Sequence, residues 1–103
     1  MANPKLRLSR LRDIGWNLWD PIGLLGENET WEHQPFSDEY DSYLIQAAGQ
    51  LRRNTSAKDV IEYLVQIETE HMALGAASGK KQRAEAVVKA IVADDELWVF
   101  PPE

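Results

Sequence analysis

The sequence predicts an all-α fold, a small four-helix bundle with a WDPIG corner after the first helix. Three observations carry this. Apolar residues recur at offsets of three and four in four separate segments. Cap residues, glycines and prolines fall between those segments. No stretch alternates apolar and polar residues over the length of a half-buried strand. At 103 residues the chain has the size of one domain, 1–103. A chain of that size buries a core without cross-links.

The first helix is expected over 5–19. Leu11, Ile14 and Leu18 fall on one face. Asn3-Pro4 suits a cap followed by the first helical position, and Ser9 is the alternative cap. Pro21 disfavours helical geometry at Asp20, which stops the helix there. Residues 27–35 read as a polar loop between Gly26 and Pro35. Trp31 interrupts that polarity and is expected to pin the loop to the body by burying its ring.

The second helix is expected over 38–53. Ser37 or Asp38 would cap it, and Asp38, Glu39 and Asp41 suit the positive end of the helix dipole. Tyr40, Leu44, Ala47, Ala48 and Leu51 form its apolar stripe, and Arg52 and Arg53 sit in its last turn. The third helix, 57–73, opens on Ser56-Ala-Lys-Asp59, a capping box with Asp in place of Glu. Its wide apolar face is Val60, Ile61, Leu64, Val65, Ile67 and Met72, and Gly75 is placed to end it. The fourth, 80–95, carries Ala84, Val87, Val88 and Ile91. The short link Gly75–Gly79 makes the third and fourth helices an antiparallel hairpin. A tail, 97–103, follows. Leu97, Trp98, Val99 and Phe100 either fold onto the bundle or form an apolar patch of the kind that marks an interface.

The formal charge is −6, from 17 acids against 11 bases, and its distribution is uneven. Lys5, Arg7, Arg10 and Arg12 precede the first acid. Between Asp13 and Ile45 stand eight acids and no Lys or Arg. Such a segment repels phosphate backbones, so nucleic acid is not an expected partner. A protein partner with a basic surface is the better match. No apolar run approaches a membrane span. Asp13 and Asn17 interrupt what would be the core of a targeting segment. The expectation is a soluble cytoplasmic protein. The chain has no cysteine, which removes thiolate ligands and nucleophiles and fits a reducing compartment.

Three stretches are candidates for a site. In NLWDPIGLL, Asp20-Pro21-Ile22-Gly23 fits a type I turn, with Asp20 bonding amides two or three residues on. The functional reading makes Trp19 and Asp20 a binding pair. The corner is the preferred reading, because every residue there has a local structural use. In SDEYDSY, three acids within four residues are too few, on one helical turn, for a calcium site. The preferred reading is a charged helix start with two half-buried tyrosines. A variant leaves Asp41 and Tyr43 exposed to recognise a basic partner. In IETEHM, Glu68 and His71 lie at offset three on one helix face. Di-iron bundles use two such pairs and further glutamates, and this chain has one pair. A packed or solvated pair is preferred over a metal site. No G-x-S-x-G elbow or phosphate-cradling glycine loop is present, and no cofactor is expected.

The blocks WDPIG (19–23), DEYDSY (38–43) and YLVQIETEHMAL (63–74) together resemble a family of short bacterial proteins. That family has the order W-D-P-I-G, then D-E-Y-D, then a helix ending near E-x-x-x-M-G-L. Ala73 stands here in place of the glycine. The resemblance implies a small bacterial helical protein and brings no catalytic residue with it.

The function these readings favour is a non-enzymatic protein–protein interaction module. Trp19, Asp20, Trp31, Asp38, Glu39, Asp41 and Tyr43 are its candidate contacts. An immunity-like or inhibitor-like role against a basic toxin fits by electrostatic analogy. The alternative is a metal-binding protein or metal-dependent enzyme built on Glu68, His71 and nearby acids. Self-association through the tail is a third possibility.

Overall fold

The computed structural model describes residues 5–20, 23–26, 29–71 and 79–99, and of residue 71 the backbone alone. Four α-helices pack together: α1 (Leu8–Leu18), α2 (Asp41–Arg52), α3 (Ala57–Gln66) and α4 (Lys80–Ala93). A short antiparallel ladder joins β1 (Lys5–Leu6) to β2 (Trp98–Val99), in the register Lys5–Val99 and Leu6–Trp98. The expected all-α bundle is therefore the architecture, with one two-residue ladder added. Residues 5 and 6 were expected to be helical. They pair with the tail instead, and Arg7 continues the contact by donating its amide to the Leu97 carbonyl at 2.8 Å.

The expected core stripes of α2 and α4 are buried almost as read. Tyr40, Leu44, Ala47 and Ala48 are fully buried, as are Ala84 and Val87, with Val88 and Ile91 nearly so. Each fully buried Leu or Val contributes about 1.5–3 kcal/mol. The α1 face is rotated from the expected one. Leu11, Gly15, Trp16 and Trp19 turn inward, while Ile14 is half-buried and Leu18 is 39% exposed. The cause is a close approach between α1 and α2: a Cβ on Gly15 would run into the Leu44 side chain. The helix turns its one residue without a side chain toward its neighbour.

The helix ends follow local chemistry. Ser56 Oγ accepts the Asp59 amide at 3.2 Å, the forward half of the expected capping box. α2 starts at Asp41, not 38, and neither Ser37 nor Asp38 caps it. Successive turns lead into it instead, with amides of Ser37, Glu39 and Asp41 donating to carbonyls three residues back. Its far end closes on Asn54 at φ 67°. The Thr55 amide bonds the Gln50 carbonyl and the Asn54 amide the Leu51 carbonyl, a Schellman arrangement. Neither Ser9 nor any other side chain caps α1; Ser9 lies inside the helix and Arg7 holds the cap position. The expected loop over 27–35 contains a 3-10 turn, Trp31–His33. Beyond Gln66 the third helix widens into a π turn, Ile67–His71. The expected cap at Asn3-Pro4, the stop at Gly75, the side chains of Met72 and Phe100, and Pro21-Ile22 lie outside the described residues.

The described part of the tail, 97–99, folds onto the bundle. Leu97 is fully buried, and Trp98 and Val99 are half-buried. Arg52 lies 5.1 Å over the Trp98 ring. Arg10 of α1 chelates Asp94 through Nε and Nη2, at 2.8–3.1 Å. No helix among the described residues is long and apolar enough to cross a membrane.

Candidate functional site

The candidate contacts separate into a buried corner and an exposed acidic face. The corner is built on Asp20. Its Oδ1 accepts the Leu24 amide at 3.0 Å and its Oδ2 the Leu25 amide at 3.1 Å. The Gly23 amide closes on the Asp20 carbonyl at 3.0 Å, and Gly23 has φ 73°. The chain closes on itself between Asp20 and Gly23 as expected, while the two central residues that define the turn type lie outside the described residues; the carboxylate reaches amides four and five residues on, not two or three. Trp19 is 2% exposed, and its Nε1 finds no acceptor among the described residues. Its ring meets Tyr40 at 5.3 Å and the edge of Tyr43 at 6.3 Å. Trp16 packs against Tyr40 with ring centroids 4.7 Å apart and the rings tilted by 44°, and it donates its indole N–H to the Ser37 carbonyl. Trp19 and Asp20 are thus packed and bonded as parts of a corner.

The acidic face is organised by two neighbouring residues of α1. Asp13 Oδ1 accepts the indole N–H of Trp31 at 2.7 Å, which pins the loop through a hydrogen bond where burial of the ring was expected; the ring is only half-buried. Arg12 reaches the other way. Its Nε and Nη2 bond both oxygens of Asp41, at 3.0 and 2.6 Å, and its guanidinium lies 5.6 Å over the Trp31 ring. The hydrogen bond to Asp41 raises the Arg12 pKa above its ordinary value, with burial opposing. Asp41 and Tyr43 are consequently half-buried. The variant that left both exposed is corrected here: Arg12 claims the carboxylate and Trp19 the ring.

What stays open is a cleft of about 230 Å³ lined by Asp13, Asn17, Glu29, Trp31 and Glu32. Glu29 braces its rim, accepting from the Gly26 amide and from Gln34 Nε2. Glu32, Asp38 and Glu39 are exposed. Of the seven candidate contacts, Trp31 borders the cleft, and Asp38 and Glu39 stand free on the surface leading into α2. Arg12, Asp13 and Glu29 were not singled out from the sequence. A base 29 positions from its acid leaves no local pattern to read.

Glu68 and His71 lie on the π turn. Glu68 is fully buried, and its Oε1 accepts from Arg83 Nη2 at 2.6 Å and Nε at 3.2 Å. Its Oε2 has no partner among the described residues. The side chain of His71 lies outside them. Among the described residues, no three His, Cys, Asp or Glu side chains converge to hold a metal ion. The sequence did hold a signal for the burial of Glu68. It lies four and eight positions beyond Leu64 and Val60, on the stripe that enters the core.

No family model, curated protein or solved structure matches the chain.

Proposed function

We propose that this protein is a non-enzymatic interaction module that presents its acidic face to a basic protein partner. The observation that supports this reading is the asymmetry of that face. Five exposed acids, Asp13, Glu29, Glu32, Asp38 and Glu39, come from the segment that lacks Lys and Arg. The nearest base in sequence, Arg12, is engaged by Asp41 and Trp31. The potential left at the surface is negative, and it favours encounter with a positive surface. Trp31 supplies an aromatic anchor at the edge of the cleft, the kind of residue on which binding energy concentrates. Inhibition or immunity toward a basic protein fits the same pattern by analogy of charge.

The test is a pull-down with the wild type and with D38K/E39K, two exposed positions whose side chains take no part in the Arg12–Asp41 hydrogen bonds. The variant is expected to lose its basic partners, and those held by the wild type are expected to elute with salt. Identical partner sets for the two proteins, or none for either, count against the reading.

A further inference from the structure

Among the described residues, the apolar face of α3 is wider than the bundle covers. Val60, Leu64 and Ile67 enter the core. Ile61 and Val65, one turn apart on the flank, stay half-buried. They open into a surface groove of about 520 Å³, the far wall of which includes Lys81 of α4. Glu62, Thr69 and Glu70 complete its border. The near side is formed by residues 61–66 of α3 and 67–70 of the π turn that follows it.

Two features of the groove define an occupant. Its floor is aliphatic, so it takes apolar side chains. Its rim is acidic: Glu62 and Glu70 are exposed, and among the described residues neither takes part in an ion pair. Lys81 is turned to Glu85 on its own helix, at 4.0 Å. Lys80, beside the groove, donates to Thr69 Oγ1 at 3.1 Å, so both bases at this end have partners of their own while Glu62 and Glu70 face an apolar floor outside any ion pair among the described residues. A second copy is a poor occupant, because each chain carries a net charge of −6. Nucleic acid is excluded by the same sign.

We propose that this groove docks a basic amphipathic helix of a partner protein. Apolar side chains at helical spacing would rest on Ile61 and Val65, and lysine or arginine would pair with Glu62 and Glu70. The partner has the same sign of charge as in the proposed function, but the groove shares no residue with the acidic face.

The probe is a dye-labelled leucine–lysine amphipathic peptide, followed by fluorescence anisotropy, with a leucine–glutamate peptide as its counterpart. The expected result is saturable binding of the cationic peptide that weakens with salt, and no binding of the anionic one. E62K/E70K should weaken it by about tenfold or more, equivalent to roughly 1.4 kcal/mol. E62Q/E70Q should give a smaller loss in the same direction, and V65S a loss without a change of charge. Circular dichroism checks that each variant is folded, and the neutral pair keeps the test decisive if charge reversal disturbs α3. D38K/E39K should leave the component of binding that responds to E62K/E70K and V65S unchanged. Absence of saturable binding overturns the groove, as does binding that survives E62K/E70K and E62Q/E70Q alike. Loss in D38K/E39K alone assigns the peptide to the acidic face, which overturns the groove and leaves the reading of that face standing.

Discussion

The hydroxyl of Tyr40 donates to Oδ1 of Asp20 across 2.8 Å, twenty residues away in the chain. The same carboxylate holds the amides of Leu24 and Leu25. One side chain thus ties together the end of α1, the turn after it and the entry to α2. Asp20 itself has φ 28°, a backbone setting that side chains other than glycine seldom adopt. Three hydrogen bonds to an acidic group offset that cost, and two tryptophans close over the Tyr40 ring.

Tyr40→Phe keeps the ring and removes the donor. A hydrogen bond to a carboxylate is worth about 1.5–3 kcal/mol, and this one is part-buried, so the variant is expected to lose about 1.5 kcal/mol in urea denaturation. Asp20→Ala takes the acceptor from three donors at once and is expected to cost more. If Tyr40→Phe unfolds at the wild-type midpoint, the bond does not hold the corner.

Acid should weaken the junction between α1 and the tail. The Arg10 hydrogen bond lowers the Asp94 pKa below the ordinary aspartate value of 3.8. A depressed folded-state pKa stabilises the fold above the unfolded value, and the contribution is lost as pH falls through the folded one. Asp94→Asn should therefore melt below the wild type at neutral pH. The gap should narrow as pH drops below 3.8. Thermal melts of both proteins over a pH series check this. A gap that is constant in pH would mean the pair contributes through packing, not charge. The effect should be modest, because the Arg10 side chain is 40% exposed.

Gly15 and Leu44 set the spacing of α1 against α2. Alanine at an interior helix position normally gains about 1 kcal/mol over glycine. Here its Cβ meets the Leu44 side chain in a filled core, and overpacking costs about 1–3 kcal/mol. Gly15→Ala is thus expected to be destabilising by roughly 1 kcal/mol. In a Leu44→Ala background the obstruction is gone, and the same change should become neutral or favourable. A double-mutant cycle by chemical denaturation reads the sign directly.

The fold was legible where one helix faces one core. The α4 stripe of Ala84, Val87, Val88 and Ile91 is buried as its spacing demands. The α1 face was misread because Leu18 is apolar and Gly15 has no side chain to count. Hydropathy registers the leucine, while packing responds to the absent Cβ. The α2 start was misplaced for a related reason. Ser37 and Asp38 are good caps, but the chain reaches the helix through a series of turns pinned by Trp16 and Tyr40. At the acidic face the sequence conveyed the charge but not its neutralisation. Arg12 meets Asp41 only once α1 and α2 are packed. The β1–β2 ladder is likewise a product of tertiary closure, since two residues carry no periodicity.

Glu68 and Arg83 give the sharpest test of how the α3–α4 hairpin is held. The carboxylate is fully buried and the guanidinium 28% exposed, with 2.6 Å between Oε1 and Nη2. Removing one partner leaves a buried charge uncompensated, which costs about 3–5 kcal/mol for a fully buried pair. Solvent access at Arg83 reduces this, so Arg83→Met is expected to cost roughly 2–3 kcal/mol. Glu68→Met leaves the cation able to reach water, and should cost less than Arg83→Met. The double variant E68M/R83M replaces the pair with apolar volume and also removes the unpartnered Oε2 from the core. It should be more stable than Arg83→Met alone and close to the wild type. Guanidinium denaturation of the four proteins measures the coupling. Strictly additive losses would show that the two side chains act independently, and that the hairpin is held by its aliphatic stripe alone.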